Sequence, residues 1–138
     1  MARTRIAKSD FILLAALRQA LRRFLGFSRE AARGAGITPQ QHQALLAVKG
    51  FSGRDYVSVG ELARSLQVRH NSAVGLADRL VRHGLLRRTR SRTDARRAEL
   101  RLTAKGETAI EGLATAHLRE LRQLGPELLR LISSITDL

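Results

Sequence analysis

Near its start, the sequence repeats an apolar residue every three or four positions, the period of a helix with one buried face. The repeat follows Ser9 and Asp10, which can cap a helix, and it stops at Gly34 and Gly36, which can end one. A long first helix is therefore predicted over about residues 9–33. Its apolar positions are Leu13, Leu17, Ala20, Phe24, Phe27 and Ala31.

The end of the sequence carries a second long repeat of the same period. Thr103 can cap this helix, and Gly125-Pro126 predicts a break in it, followed by a last helix to about Ile135. The apolar positions are Ile110, Leu113, Ala114, His117, Leu121 and Leu124. The pattern predicts helical extensions on both sides of the middle of the chain.

Between the extensions, two capping boxes predict two shorter helices, one opened by Thr38 with Gln41 and one by Ser58 with Glu61. Val57 is predicted to form an isolated short strand. A fourth helix covers roughly residues 70–82, and steps of 100° give it an apolar arc and an opposite polar arc. The apolar arc holds Ala73, Leu76, Ala77 and Leu80, and the opposite arc holds Asn71, Gly75, Asp78 and Arg82.

Two short strands follow the fourth helix, Leu85–Thr89 and about Arg97–Leu102. In the second strand, Ala98, Leu100 and Leu102 share one face, while Glu99 and Arg101 share the other. A short helix, a turn, a second helix and a hairpin form a winged helix-turn-helix. The predicted fold class is mainly α with a small sheet (α+β).

The formal net charge is +13, and residues 54–105 hold thirteen basic and five acidic residues. Such concentrated charge is typical of proteins that bind polyanions, although a merely solvated basic surface has the same composition. The absence of cysteine excludes disulfides and cysteine-ligated zinc. The longest apolar run, Phe11–Leu17, is too short to span a bilayer, so a cytoplasmic protein is expected.

The most basic stretch, RRTRSRTDARRAELRLT, covers residues 87–103 and contains seven arginines. A hairpin with such a tip can lie along the DNA backbone and insert an arginine into the minor groove. Asp94 then orients a guanidinium by accepting a bidentate pair of hydrogen bonds. The alternative is a charged hairpin that only keeps an edge strand from aggregating.

These residues resemble the MarR family of bacterial winged-helix regulators over about residues 37–106. The resemblance lies in ITPQQHQALLAV, in ELARSLQVRHNSAVGLADRLVRHGLLRR and in TDARRAELRLTAKG. Its most specific parts are the D-x-R of Asp94-Ala95-Arg96 and the LT-x-K-G of residues 102–106. The resemblance implies one domain over residues 1–138, with a DNA-binding lobe at 37–103 and a helical dimerisation region at 9–33 and 104–136.

The resemblance also implies that the helix over 70–82 is the recognition helix, with Arg96 as the minor-groove finger and Asp94 as its brace. Many family members have Thr and Arg where this chain has Val74 and Gly75. Since Gly75 offers no side chain to a base, base reading is expected to move to the first turn. The predicted DNA-binding residues are Arg69, His70, Asn71, Ser72, Val74, Gly75, Arg79, Arg82, Arg90, Arg92, Asp94, Arg96 and Arg97.

A pocket for a small aromatic or anionic effector is a further implication of the resemblance, with Arg18, Arg22, His42 and His117 as its polar groups. On its own pattern, a position on the apolar line of its helix, His117 is instead a core or dimer-interface residue. No H-x-x-x-H spacing or nucleophile–base pair occurs, so neither a metal site, nor a cofactor, nor an enzyme is expected.

The sequence therefore predicts a homodimeric DNA-binding transcriptional regulator, a repressor relieved by an effector, acting on pseudo-palindromic double-stranded DNA. Two alternatives stay open. One is a sequence-neutral architectural protein that binds DNA or RNA with the same basic surface. The other is a protein-interaction module that has lost DNA binding, although the Asp94–Arg96 wing argues against it.

Overall fold

The computed structural model describes residues 5–94 and 96–136 and places five helices and one two-stranded antiparallel sheet in them. The helices are α1 (Lys8–Gly34), α2 (Pro39–Lys49), α3 (Val59–Leu66), α4 (His70–Arg82) and α5 (Ala104–Thr136); the strands are β1 (Leu86–Arg90) and β2 (Ala98–Leu102). This order confirms the predicted winged helix-turn-helix with long terminal helices. None of the described helices is long and apolar enough to cross a membrane.

Both predicted capping boxes are present and fix where α2 and α3 begin. Thr38 and Gln41 exchange side-chain and backbone hydrogen bonds of 3.1 and 3.0 Å, and Ser58 and Glu61 exchange bonds of 3.1 and 2.9 Å. Burial disfavours the ionised form of Glu61, but hydrogen bonds from Ser58 and the charge of Arg54 outweigh it. The pKa of Glu61 therefore lies below its ordinary value.

Helix α1 begins one residue before its predicted caps. Asp10 reaches back to accept the backbone N–H of Ala7 at 2.8 Å, so its carboxylate caps the first turn from inside the helix. At the other end, Gly36 has a φ of +78°, and the N–H of Ile37 bonds to the carbonyl of Ala32 at 3.1 Å. The predicted glycine termination is thereby confirmed.

Helix α5 runs without interruption from Ala104 to Thr136, so the predicted break at Gly125-Pro126 is wrong. A proline inside a helix lacks one N–H donor and presses on the preceding turn, at a cost of about 3 kcal/mol. Contacts flank the proline on both sides: Leu124 is buried, and Glu127 accepts a 2.6 Å hydrogen bond from Arg23 of α1. The predicted last helix is the C-terminal part of α5.

Residues 32–114 form one compact unit, called the lobe below, while the residues up to 31 and from 115 onward form another. In the lobe, α2, α3 and α4 pack on one another, and each also packs on the hairpin. This shared core holds α4 beside the hairpin. Its largest fully buried side chains are Leu45, Val48, Val57, Leu62, Leu80, Leu86, Leu100 and Ile110.

The hairpin pairs Leu86 with Leu102 at its base and Arg90 with Ala98 near its tip. Val57 forms an isolated bridge to Leu100, with backbone hydrogen bonds of 3.1 and 2.8 Å, as the sequence predicted. The bridge adds a third short segment beside β2. It thus attaches the loop before α3 to the sheet.

The LT-x-K-G segment attaches the start of α5 to the turn after α4. Thr103 donates its hydroxyl to the carbonyl of Gly84 at 2.5 Å, and Lys105 Nζ donates to the carbonyl of His83 at 3.0 Å. Both acceptors belong to the residues that end α4. These bonds form a clamp, and through it the end of the predicted recognition helix and the start of α5 hold each other in place.

Gly106 completes this clamp because it has no side chain. A Cβ at this position would overlap the carbonyl oxygen of Leu85 and lie 3.0 Å from the Leu102 side chain. The same Leu85 carbonyl accepts the N–H of Thr103 at 3.1 Å. The backbone of α5 can therefore pack directly against the backbone of Leu85, the residue before β1, only because residue 106 is glycine.

In the second unit, α1 and the later part of α5 meet around His117. Its Nε2 lies 2.9 Å from Ser28 Oγ, and its ring packs edge-on against Phe24 and Phe27, with centroids 5.9 and 5.3 Å away. Other large apolar residues of the two helices are exposed. They are Phe11, Ile12, Leu14, Leu21, Leu25, Leu118, Leu121, Leu129 and Ile132.

Candidate nucleic-acid interface

Helix α4 buries one arc and exposes another, as its pattern predicted. The four residues of the apolar arc are all buried, from 0 to 3% exposed: Ala73, Leu76, Ala77 and Leu80. The turn before α4 is made by Gln67, whose φ of 57° is left-handed. That turn aims the first turn of α4 away from the core of the lobe.

The first turn of α4 presents its side chains to solvent. Arg69, His70, Asn71 and Ser72 are all exposed. Arg69 occupies the N-cap position, but its side chain makes no capping hydrogen bond. The first N–H groups of α4 therefore lack a side-chain cap, a configuration that favours an anion or a polar acceptor at this end.

The middle of the exposed arc is formed by Gly75, and the side chain of Arg79 lies across it. A Cβ placed on Gly75 would be 3.5 Å from Arg79 Nη1, an ordinary contact distance. Because Gly75 has no side chain, the guanidinium group of Arg79 can lie over this part of the helix. Val74 is only partly exposed, and Arg82 is exposed at the end of the helix.

Asp78, also on the exposed arc, is paired with a residue that the sequence reasoning missed. Its Oδ1 accepts from Arg88 Nη2 of β1 at 2.8 Å, and both side chains are partly exposed. Such a pair adds little stability, but it removes an uncompensated negative charge from the arc. The two residues lie ten positions apart on different elements, so no spacing rule indicates the contact.

The tip of the hairpin is organised by its own backbone. Ser91 donates its N–H to the carbonyl of Arg97 at 3.0 Å, and its hydroxyl oxygen accepts from the N–H groups of Thr93 and Asp94 at 3.3 Å. The carbonyl of Asp94 accepts from the N–H of Arg97 at 3.0 Å. These bonds close the tip into a compact turn.

The carboxylate of Asp94 contacts the main chain of Arg96, where the sequence reasoning had expected its guanidinium. Asp94 Oδ1 accepts the backbone N–H of Arg96 at 3.0 Å, an Asx turn. The expected bidentate fork is thus replaced by a bond that fixes the backbone from which the arginine projects. The middle residue of the motif, Ala95, lies outside the described residues.

Four arginines at the tip are exposed: Arg90, Arg92, Arg96 and Arg97. They belong to the same compact unit as α4. Because the core of the lobe fixes the hairpin beside α4, the predicted DNA-binding residues form two groups on one rigid body. One group is the first turn and exposed arc of α4, and the other is the tip.

The four polar groups proposed for an effector pocket divide between the two units. Arg18 and Arg22 are exposed on α1, and His117 packs against the two phenylalanines as described above. His42 belongs to the lobe, where it is 2% exposed and its Nδ1 lies 3.4 Å from Gln43 Nε2. The pocket itself stays a prediction. Within residues 5–94 and 96–136, no three His, Asp or Glu side chains are placed to hold a metal.

Comparison with known proteins finds a family model that matches the middle of the chain and solved structures with the same fold. Residues 35–97 match the model of the MarR family, whereas no curated protein matches the sequence. A MarR family protein from Bacillus stearothermophilus shares the fold with 24% identity over 97% of this chain and 95% of its own, at a TM-score of 0.77. A probable transcriptional regulator from Pseudomonas aeruginosa has 27% identity over 88% of this chain and 89% of its own, at a TM-score of 0.66.

A third similar structure is a MepR mutant of S. aureus bound to an oligodeoxyribonucleotide. It has 19% identity over 95% of this chain and 99% of its own, at a TM-score of 0.69. The family match covers the helix-turn-helix and the hairpin tip, and the structural similarity extends along nearly the whole chain. This chain therefore matches the MarR family over residues 35–97 and shares its fold with solved structures along nearly its whole length.

Proposed function

We propose that this protein is a DNA-binding transcriptional regulator that represses its target genes by binding a pseudo-palindromic duplex as a homodimer. One observation carries the proposal: the exposed, uncapped first turn of α4 and the arginine-rich tip lie on one compact unit. A recognition helix in the major groove with a wing in the neighbouring minor groove requires that arrangement. The MepR structure with DNA supports the same use of this fold.

In this proposal the first turn of α4 reads bases in the major groove. Arg69 suits the O6 and N7 acceptors of guanine, and Asn71 suits the N6 and N7 groups of adenine. His70 and Ser72 add shorter polar contacts, and Val74 touches a thymine methyl. Arg82, at the far end of α4, binds phosphate.

The wing reads the shape of the minor groove. Arg96 enters the groove, where negative potential is strongest over narrow A·T-rich segments. Asp94 prepares this step by fixing the backbone of Arg96 before DNA arrives. The remaining exposed arginines of the tip, Arg90, Arg92 and Arg97, bind the phosphates on either side.

The partner in the dimer is a second copy of this chain. Nine large apolar residues of α1 and α5, listed above, are exposed, and contiguous apolar patches of this kind mark interaction sites. Burying them against the same surface of a second copy would create a two-fold interface. Sedimentation at micromolar concentration should therefore give a dimer, and a stable, folded monomer there would contradict this part of the proposal.

Regulation by a small aromatic or anionic effector completes the proposal. The cationic side chains of Arg18 and Arg22 would attract the anion, and His117 would supply a hydrogen bond. Aromatic carboxylates can be tested for a rise in melting temperature that His117→Gln or Arg22→Gln abolishes. If every aromatic carboxylate raises the melting temperatures of the wild type and of both variants equally, these residues do not form the effector site.

Competition binding tests the main function against its rival. A labelled operator selected from the source genome competes with random DNA and with duplex RNA. A specific regulator should prefer its operator by at least about a thousandfold over random DNA at physiological salt. The rival, a sequence-neutral DNA- or RNA-binding protein, is favoured by the absence of a side chain at Gly75, and it would show equal competition.

Two further measurements connect the residues to this function. Arg96→Ala should weaken operator binding by about 1–3 kcal/mol, the scale of a good groove contact. If the dimer neutralises about six to ten phosphates, log K should fall against log salt with a slope of about −5 to −9. A slope near −1 would mean that most of the +13 charge never meets the DNA.

A further inference from the structure

The hairpin has a second basic surface, on the face opposite the core. Side chains alternate along its strands, so Leu86 and Leu100 point into the lobe, and Arg87, Thr89, Glu99 and Arg101 share the other side. We call this side the outer face. None of its four residues belongs to the DNA-binding set derived from the sequence.

Two arginines lie directly opposite each other on the outer face. The register pairs Arg87 of β1 with Arg101 of β2. Like charges at directly opposed positions of an antiparallel pair repel each other and weaken the sheet. An anion bound between or above the two guanidinium groups would remove this repulsion.

Arg101 is already held in place by its neighbours. Its Nη2 donates to Glu99 at 3.0 Å, and its guanidinium carbon lies 4.6 Å from the centre of the Tyr56 ring. Arg54 lies equally close to the same ring and is ion-paired with Glu61. The two nearby carboxylates are therefore each engaged by one of the stacked arginines.

Arg87 on the outer face, and Arg90 and Arg92 nearer the tip, have no such partner among the described residues. Within the described part of the chain, no carboxylate lies within ion-pair distance of Arg87, Arg90 or Arg92. They border a groove of about 510 Å³ that also contains four hydroxyl groups. The groove is lined by Tyr56, Arg87, Thr89, Arg90, Ser91, Arg92, Thr93, Glu99 and Arg101. Guanidinium and hydroxyl donors around an open groove are the groups that bind phosphate oxygens.

The position of the outer face indicates which phosphates it meets. Arg88, next to Arg87 but on the inner side of the hairpin, is ion-paired with Asp78 of α4. The inner side therefore faces the recognition helix, and the outer face is directed away from it. When the tip enters a minor groove, one backbone strand lies on the side of α4 and the other lies on the outer side.

We propose that the outer face, through Arg87 and the stacked Arg101, binds the sugar–phosphate backbone of DNA flanking the operator. This proposal rests on the proposed function, since it needs the wing to sit on DNA. It adds a contact that is independent of base sequence and lies beyond the minor groove that Arg96 reads. The protein would thus recognise the length of duplex around its operator as well as the operator itself.

Two duplexes separate this contact from operator binding. The core duplex carries both half-sites in about 20 base pairs, and the extended duplex adds about one helical turn of arbitrary sequence at each end. Wild-type protein should bind the extended duplex roughly sixtyfold more tightly at 0.1 M salt, the gain expected from one further phosphate contact on each of the two wings. Its salt slope should be steeper by about two on the extended duplex, one unit for each wing.

Variants then assign the gain to the outer face. Arg87→Gln should abolish the gain and leave binding to the core duplex unchanged. Glu99→Gln, which frees Arg101 from its carboxylate, should increase the gain. Arg119→Gln removes the same charge from an exposed position on α5 and serves as the matched control.

Each outcome of this experiment is decisive. A wild-type protein that binds both duplexes equally, or an Arg87→Gln variant that weakens both equally, would overturn the proposal. An equal loss in Arg87→Gln and Arg119→Gln would also overturn it, since overall charge alone would then explain the gain. If the protein bound neither duplex specifically, the proposed function itself would be refuted. Binding to the core duplex, which lacks the flanking DNA, tests that function independently of the outer face.

Discussion

Replacing Gly106 with alanine adds one methyl group at the place where α5 starts against the turn after α4. The new Cβ would overlap the carbonyl oxygen of Leu85 and press on Leu102. Gly106 is buried, so the neighbouring groups have no solvent to move into. The displaced carbonyl is also the acceptor for the N–H of Thr103, so the strain acts on a hydrogen bond of the clamp.

The expected loss of stability follows from three effects. Overpacking a tight site destabilises by about 1–3 kcal/mol. Weakening the Thr103–Leu85 hydrogen bond removes about 1 kcal/mol more. Alanine then restores about 1 kcal/mol, because it forms helix more readily than glycine does. The free energy of unfolding should therefore fall by about 1–3 kcal/mol.

Gly112 provides the matched control, since it lies in the same helix, is exposed, and has nothing within 4 Å of an added Cβ. Gly112→Ala should raise the free energy of unfolding by up to about 1 kcal/mol. Urea unfolding followed by circular dichroism measures both variants, at one protein concentration because a dimer's stability depends on it. If Gly106→Ala were as stable as Gly112→Ala, the clamp would not hold α5 against Leu85.

Three further predictions concern single side chains. The pKa of Glu61 is lowered in the folded protein, so its ionisation stabilises the fold above about pH 4.3, and this stabilisation is lost as pH falls through the folded pKa. Wild type should therefore lose more stability than Glu61→Gln in urea unfolding between pH 6 and pH 3, and equal losses would contradict the assignment. Gly75→Ala should raise the free energy of unfolding by about 1 kcal/mol, and with it the melting temperature, because alanine forms helix more readily than glycine does. The added Cβ is tolerated, since it would lie 3.5 Å from Arg79 Nη1, an ordinary contact distance. In single-base substitutions of the operator, the base pairs under the middle of α4 should be tolerant in the wild type, because Gly75 offers them no side chain. Strong discrimination at those pairs would contradict this reading of α4. Asp94→Asn should keep the operator affinity, because the asparagine amide oxygen can still accept the N–H of Arg96. Asp94→Ala removes this acceptor and should lose part of the affinity. If a binding titration showed equal losses of affinity for both variants, the negative charge of Asp94 would matter and not its hydrogen bond.

Local signals made most helix boundaries predictable. A capping box needs only two residues three positions apart, so Thr38 with Gln41 marked the start of α2 without knowledge of the fold. The same holds for the predicted range of α4 and for its buried arc, which follow from the period of one helix. Glycine at 36 likewise marked the end of α1 through its own backbone conformation.

Contacts between distant elements could not be predicted in this way. Helix α5 continues past Pro126, where Leu124 is buried and Glu127 bonds to Arg23 of another helix. A local rule for proline does not see these contacts, and it gave the wrong answer. The pairing of Asp78 with Arg88 and the stacking of Arg101 on Tyr56 likewise join elements with no common spacing. Asp94 shows a subtler limit, because the motif indicated that it orients Arg96, but only the turn geometry revealed the backbone as its target.

The position of Tyr56 has a practical consequence, because the sequence contains one tyrosine and no tryptophan. The guanidinium carbons of Arg54 and Arg101 each lie 4.6 Å from the centre of its ring. Protein grown with 3-fluorotyrosine would show a single fluorine resonance, and the chemical shift of that resonance depends on the charges that face the ring. DNA contains no fluorine, so this one signal would report, free of background, whether Arg101 leaves the ring when a duplex is added.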